Sequence, residues 1–443
     1  MKRMRESDLT RWQTAAGRKP LILLGARQVG KTYILRDFAA RNFTNSVYLN
    51  FESDKGLHRV FDQDLDAQRI INDLRKLGHE IQFGKTLLIF DEIQNCESAL
   101  TSLKYFCEGI PELHVCAAGS LLGLQLAEGS FPVGKVDLMS LYPMTFLEFL
   151  HGIGDLSLYD YLLSVQDGSS NWSEIMHPRV FARFKDYLII GGLPEVVAEF
   201  AKNLDQVSTA YEVARKKQES LIFQYVADIA KHSGKVNSMH IERVWSNAAS
   251  QLATTHDGKS DKFKFKGVVP NIRGYERLAG AIEWLQKAGL IVKVPICKKP
   301  ASPLRGYTED SVFKIYLFDV GILGAMIGLR PSTVVAYDFG SYKGYLAENF
   351  VARELVSQGI ELYCWREGTS EVDFLIEDDT GIIPIEVKSG LSNQAKSLGV
   401  YIKKYQPRHV VKLSGRCPDR RSVSDGYEHL PLYGINVMPH RRD

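Results

Sequence analysis

Gly25-Ala26-Arg27-Gln28-Val29-Gly30-Lys31-Thr32 is the stretch from which the rest of this chain is read. It has the spacing G-x-x-x-x-G-K-[ST], in which glycines let the backbone curl so that its N–H groups face one point. A concavity of that kind at the start of a helix attracts phosphate. The apolar run Leu21-Ile-Leu-Leu24 leads directly into it and reads as a buried parallel strand. Residues 32–42 read as the helix that follows. With strand before and helix after, Gly25, Ala26, Arg27, Gln28, Val29, Gly30, Lys31 and Thr32 are assigned to nucleotide binding. Lys31 is expected to reach the β- and γ-phosphates, and Thr32 to hold Mg²⁺ through its hydroxyl. ATP and Mg²⁺ are the ligands this loop implies.

Further strands repeat the pattern. Val47–Phe51 is a second, and Thr86–Phe90 a third that ends in Asp91-Glu92. Leu113–Ala118 is a fourth, ending in Gly119-Ser120. Helical patterns at Ala67–Leu77 and Ala99–Glu108 separate them, which predicts an α/β domain with a parallel sheet over residues 1–150. Delivered to the sheet edge by its strand, Asp91 is expected to complete the Mg²⁺ shell. Glu92, one residue on, is expected to act as base for the attacking water. Ser120 is placed at the γ-phosphate or that water.

The chain has 443 residues, 45% of them hydrophobic and 24% charged, the balance of a soluble globular protein of two or three domains. No apolar run reaches the ~18–20 residues a membrane helix needs. Met1-Lys-Arg-Met-Arg-Glu6 lacks the apolar core of a signal peptide, so a cytoplasmic location is expected. Six scattered cysteines form no Cys-x-x-Cys pair and read as reduced thiols rather than zinc ligands. Net charge is +3, yet Arg215–Gly306 carries 17 Lys/Arg against 7 Asp/Glu, leaving the remainder at −7. A basic middle in an otherwise acidic chain suggests a polyanion partner or a solvated lysine-rich surface.

Residues 151–230 read as a helical segment broken at Gly191-Gly-Leu-Pro194. Over 231–335, helices at Met239–Leu252 and Gly274–Ala288, a basic loop between them and a strand at Leu290–Val294 outline a winged helix. Lys259, Lys262, Lys264 and Lys266 alternate with Phe263 and Phe265 as a β-wing would, charges outward and rings inward. Arg273 and Arg277 open the following helix within reach of phosphate. The final segment, 336–443, has a helix at Lys343–Ser357 and strands at Glu361–Trp365, Glu371–Ile376 and Ile382–Val387.

With these residues in hand, the chain resembles the prokaryotic AAA-type (AAA_14) ATPases that carry a DUF4143 domain. The resemblance runs through Arg18–Thr32, Phe90-Asp-Glu-Ile-Gln94, Ala118-Gly-Ser120, Leu141–Phe149, Gly191-Gly-Leu-Pro194, Phe318-Asp-Val-Gly321, Glu371-Val-Asp-Phe374 and Ile385-Glu-Val-Lys-Ser-Gly390. It implies an AAA+ core with a helical lid and winged helix, and a DUF4143 region in the C-terminal half. It further implies a homo-oligomer, a ring being one candidate form, in which one subunit completes its neighbour's site. Where many members have Gly-Arg before the Leu-Tyr-Pro motif, this chain has Gly134-Lys135, and a lysine lacks the planar fork of arginine. Gly192-Leu193-Pro194 is similar to the G-x-P of STAND-like ATPases, in which the proline lies against adenine. Glu348, Asp373, Glu386 and Lys388 resemble the core of PD-(D/E)XK nucleases, a restriction-endonuclease-like α/β fold whose carboxylates hold Mg²⁺ against the scissile phosphate.

The expected protein is an ATP-hydrolysing, DNA-associated machine whose C-terminal domain binds DNA and is a candidate for cleaving it. The alternative is a STAND-like signalling or defence switch in which that domain only binds a partner.

Overall fold

The computed structural model describes residues 1–119, 131–233, 235–251, 261–338, 340, 342–390, 396–418 and 427–437. Ser120 and Lys259 lie outside them. Contact density divides the chain into two compact units, one of residues 1–142 with 287–289, the other of 143–286 with 290–443. The segments read from the sequence as lid, winged helix and nuclease-like domain fall in the second unit, residues 287–289 excepted.

The first unit is built on five parallel strands: β1 (Leu21–Leu24), β2 (Asn45–Asn50), β3 (Thr86–Asp91), β4 (His114–Gly119) and β5 (Asp137–Ser140). Their order is β2-β3-β4-β1-β5. Every residue of β1, β3 and β4 is buried, which is why those strands are continuous apolar runs rather than alternating ones. Helices Lys31–Asn42, Ala67–Lys76 and Glu97–Gly109 accompany this sheet. On the helix Ala67–Lys76, Ala67, Ile70, Ile71 and Leu74 form one buried stripe at helical spacing, and Asp66 caps it by accepting from the Arg69 N–H. The order places the C-terminal ends of β1, β3 and β4 side by side, at the edge where α/β sheets bind ligands.

The second unit holds a mixed seven-stranded sheet ordered β12-β11-β10-β9-β8-β6-β7. Its strands are β6 (Ile291–Cys297), β7 (Thr308–Leu317), β8 (Tyr363–Glu367), β9 (Ser370–Asp378), β10 (Gly381–Val387), β11 (Val411–Ser414) and β12 (Glu428–Pro431). The strand expected at Leu290–Val294 is a member of this sheet. It extends to Cys297 and pairs on both sides, antiparallel to β7 and parallel to β8. Among the described residues no strand forms at 261–266, where the basic β-wing is expected. Lys266 and Val269 make an isolated bridge, and residues 261–265 run along the sheet edge with the Phe263 N–H donating to the Phe313 carbonyl at 2.8 Å. On the segment's other side, the Gln251 side-chain amide donates to the Lys264 carbonyl and accepts its N–H, taking the place of a neighbouring strand.

Two motifs of the second unit meet in one clasp. A Cβ on Gly192 would fall 2.0 Å from the Met144 carbonyl oxygen, and one on Gly191 would fall 2.2 Å from Asp319. Glycine is required at both places by contact. Asp319 accepts from the Gly192 N–H at 2.7 Å, and with its other oxygen from Ile322 N–H at 2.9 Å, capping the helix Val320–Met326. Pro194 opens the helix Pro194–Lys202 at a position where its missing N–H costs nothing. The Gly191–Pro194 breaker and the Phe318–Gly321 motif thus have a local structural account within this unit.

Candidate functional site

The loop between β1 and the helix Lys31–Asn42 curls through left-handed conformations at Gln28 (φ 64°) and Gly30 (φ 92°). For Gln28 this geometry is strained by about 1 kcal/mol. No side chain caps the helix, so its first N–H groups are left for an external acceptor. Gly25 admits nothing larger, since a Cβ there would lie 2.2 Å from the Leu141 carbonyl oxygen. Arg3 supports the loop from beneath. Its guanidinium donates to the Val29 carbonyl at 2.8 Å and to the Tyr142 carbonyl at 2.6 Å. No sequence motif points to that arginine.

Lys31 is buried and donates to the carbonyls of Gly25 at 3.0 Å and Ala26 at 2.9 Å. Burial pulls its pKa down to about 8, against the pull of Glu92 and Asp91, and Arg27 lowers it further. An ammonium held by neutral carbonyls, with no carboxylate in direct contact among its hydrogen-bond partners, is poised to gain from an arriving anion.

The structure brings Thr32, Asp91 and Glu92 to this loop. Thr32 Oγ1 donates to Asp91 Oδ2 at 2.9 Å, and the Tyr48 hydroxyl donates to the same oxygen at 2.6 Å. Asp91 Oδ1 accepts the Glu92 N–H at 3.1 Å. A hydroxyl and a carboxylate directed at one another form the hard-oxygen donor pair that Mg²⁺ takes when substrate phosphates and water complete its shell. Glu92 sits in a left-handed conformation (φ 50°) just past β3, where Gln94 Nε2 donates to its carboxylate. Gln94 also packs at the end of β4, 2.7 Å from where a Cβ on Gly119 would lie. The sequence pattern singled out neither Tyr48 nor Gln94 as site residues.

Lys135 lies elsewhere on the first unit, ion-paired at the surface with Glu108 at 2.8 Å. Pro194 belongs to the second unit.

Of the four residues that resemble a nuclease core, Glu386 and Lys388 are in contact at 2.6 Å. Asp373 Oδ2 accepts the Val387 N–H at 2.7 Å. Glu348 accepts from the Tyr316 hydroxyl at 2.8 Å and faces the Lys314 ammonium at 3.6 Å. Among the described residues, no three His, Cys, Asp or Glu side chains come together to hold a metal.

The basic segment keeps its expected polarity. Lys262, Lys264, Lys266, Arg273 and Arg277 are exposed. Phe263 and Phe265 turn inward onto Phe313, with ring centroids 6.2 and 5.8 Å away.

The model of the AAA domain matches residues 17–150. A domain of unknown function, DUF8612, matches 182–333, and a second, DUF4143, matches 343–440. No curated protein matches the sequence. Among solved structures, the Walker-type ATPase PABY2304 of Pyrococcus abyssi is 15% identical, covers 73% of this chain and 95% of its own, and gives a TM-score of 0.44. The Aeropyrum pernix ORC1 protein, solved in complex with DNA, is 11% identical over 76% of this chain and 95% of its own, with a TM-score of 0.31. A point variant of Thermotoga maritima RuvB is 16% identical over 66% and 88%, with a TM-score of 0.32. Scores this low carry nothing about activity or partner. An AAA-type P-loop domain and a DUF4143 domain are present, and the chain is an ATPase.

Proposed function

We propose that this protein couples ATP hydrolysis in its first unit to DNA bound along the basic segment of its second. The observation behind the DNA half is the exposed row Lys262, Lys264, Lys266, Arg273 and Arg277 on a segment whose rings are anchored inward. Side chains spaced this way neutralise successive phosphates and need no particular base sequence. The AAA-type resemblance supports a homo-oligomer as the working form.

In hydrolysis, the loop N–H groups and Lys31 bind the β- and γ-phosphates, the ammonium turning from the Gly25 and Ala26 carbonyls to phosphate oxygens. Thr32 and Asp91 would hold Mg²⁺, which when bound offsets charge on the phosphates. Glu92 takes a proton from the attacking water as the new O–P bond forms. The bond from the γ-phosphorus to the bridging oxygen then breaks, and ADP leaves with the electron pair. Gln94 orients Glu92 for this role.

ATPase rate is measured with and without duplex, single-stranded and branched DNA, with Glu92→Gln as the turnover blank. DNA is expected to stimulate the wild-type rate severalfold. Changing Lys262, Lys264 and Lys266 together to Ala should remove the stimulation, leave the DNA-free rate unchanged, and reduce the salt slope of DNA binding by about 3. A wild-type rate indifferent to every DNA would favour instead an ATP-dependent switch with a protein partner.

A further inference from the structure

The acidic residues of the C-terminal sheet and of the helix Tyr342–Ser357 follow a pattern that, in nucleases, closes around a divalent cation. Here each of them already has an oxygen engaged within the protein. Glu348 receives the Tyr316 hydroxyl at 2.8 Å and faces Lys314 at 3.6 Å. Glu371 receives the Lys314 ammonium at 2.6 Å. Asp373 receives the Val387 N–H, and Glu386 receives Lys388. A hard divalent ion needs several oxygens converging at 2.0–2.6 Å, and among the described residues no such group of three acids forms. Glu348 and Glu371 have their charge met by a protein cation, a donor set that does not fit a divalent metal while Lys314 is in place.

We propose that the Lys314 ammonium is the resident cation of this site, in place of a divalent metal, and that the C-terminal domain is a metal-independent binding module rather than a nuclease. Three features carry this. The Lys314 side chain has 0% exposure, and its two acidic partners are 2% and 11% exposed, so a positive charge is enclosed among carboxylates. Lys314 comes from β7, far in sequence from Glu348 and Glu371, so the fold itself brings the charge in. The ion pairs also continue outward: Glu371 lies 3.8 Å from Arg366, Arg366 is 2.7 Å from Asp261, and Asp261 is 3.2 Å from Lys264. Charges alternate along this chain from the buried cation to the exposed basic segment. The carboxylates therefore fix the segment's position instead of gathering a metal. Burial pulls the Lys314 pKa down, but Cys364, Tyr316, Glu348 and Glu371 outweigh it and leave the pKa well above the ordinary lysine value. The site is separate from the ATP site, and the inference stands or falls without reference to turnover or DNA affinity.

The test counts Mn²⁺ bound by the full chain, without nucleotide, by electron paramagnetic resonance. Wild type, Glu348→Gln and Asp373→Asn should bind the same number of ions, whereas loss of one ion in either variant overturns the proposal. Lys314→Met vacates the position between Glu348 and Glu371. It should gain one Mn²⁺ that the double variant Lys314→Met/Glu348→Gln lacks, and Mn²⁺ should raise its melting temperature. A folded Lys314→Met chain that gains no ion also overturns the proposal. If that variant does not fold, the comparison of wild type with the two acid variants decides.

Discussion

Lys31 and Lys314 are both buried lysines with carboxylates nearby, and they are held in opposite ways. The Lys31 ammonium rests on two backbone carbonyls, and burial depresses its pKa to about 8. Lys314 rests directly on Glu371, faces Glu348, and has its pKa raised well above the ordinary value. The first charge has no carboxylate among its hydrogen-bond partners and is only partly offset by Glu92 and Asp91, so it stands to gain from an incoming phosphate. The second is compensated inside and has nothing to gain from a ligand. The same residue type thus marks an open anion site in one unit and a closed internal ion pair in the other. The deciding variable is which oxygens touch the ammonium.

Replacing each lysine by methionine breaks the comparison most sharply. Lys31→Met should weaken ATP binding at least a hundredfold, about 3 kcal/mol, read by titration with a fluorescent nucleotide. The same change should leave the melting temperature of the nucleotide-free protein unchanged or raised, because it removes a desolvated charge. Lys314→Met should do the reverse, leaving ATP affinity within about twofold while costing roughly 3–5 kcal/mol of stability, read by urea unfolding. Equal destabilisation by both changes would show that Lys31 is compensated internally after all.

The next effect is one of pH. Phosphate binding favours the protonated Lys31, so the bound lysine has a higher pKa than the free one. The free pKa is about 8. Below it the ammonium is already formed and affinity is flat. Above it binding must also take up a proton, and affinity should fall up to tenfold per pH unit. Calorimetric titration with ATP from pH 7 to 10 should show the bend near 8 in wild type and none in Lys31→Met. A flat wild-type profile would mean that the lysine is not desolvated.

What the sequence made legible follows the same physical lines. β1, β3 and β4 are wholly buried, so they appear as apolar runs ending in glycine or acid, and the phosphate loop could be read from β1 outward. β5 escaped because Asp137-Leu-Met-Ser140 is short and only partly buried, with no pattern of either period. β7 escaped because its first half, Thr308-Glu-Asp-Ser311, is polar and lies toward solvent, as suits an edge strand. The sequence outline read local order but not the pairing of β6 with β8, Ile296 against Cys364, because that is a long-range choice. Lys314 did leave a trace: a single lysine inside Val312-Phe-Lys-Ile-Tyr-Leu317 is a charge in an apolar run, which is rarely buried unless paired. Arg3 left none, since an arginine near the N-terminus is unremarkable until the loop it supports is in place.

Tyr48 gives the smallest and most specific effect. It lies on β2, two residues before the strand's end, and nothing in Val47-Tyr-Leu-Asn-Phe51 marks it as different from a core aromatic. Yet its hydroxyl and that of Thr32 donate to one oxygen of Asp91, while Asn50 donates to the Tyr48 hydroxyl at 3.1 Å. With the Thr32 hydroxyl given over to Mg²⁺, the Tyr48 hydroxyl would be the side-chain donor still orienting the carboxylate, beside the Glu92 N–H. Tyr48→Phe removes that restraint and leaves the ring, with Arg36 above it at 5.2 Å, in place. The half-saturating Mg²⁺ concentration for ATP hydrolysis should rise about two- to fivefold, under ~1 kcal/mol, with kcat at saturating Mg²⁺ and nucleotide affinity measured without metal both unchanged. A fall in kcat at saturating Mg²⁺ would place Tyr48 at the reacting groups rather than behind Asp91.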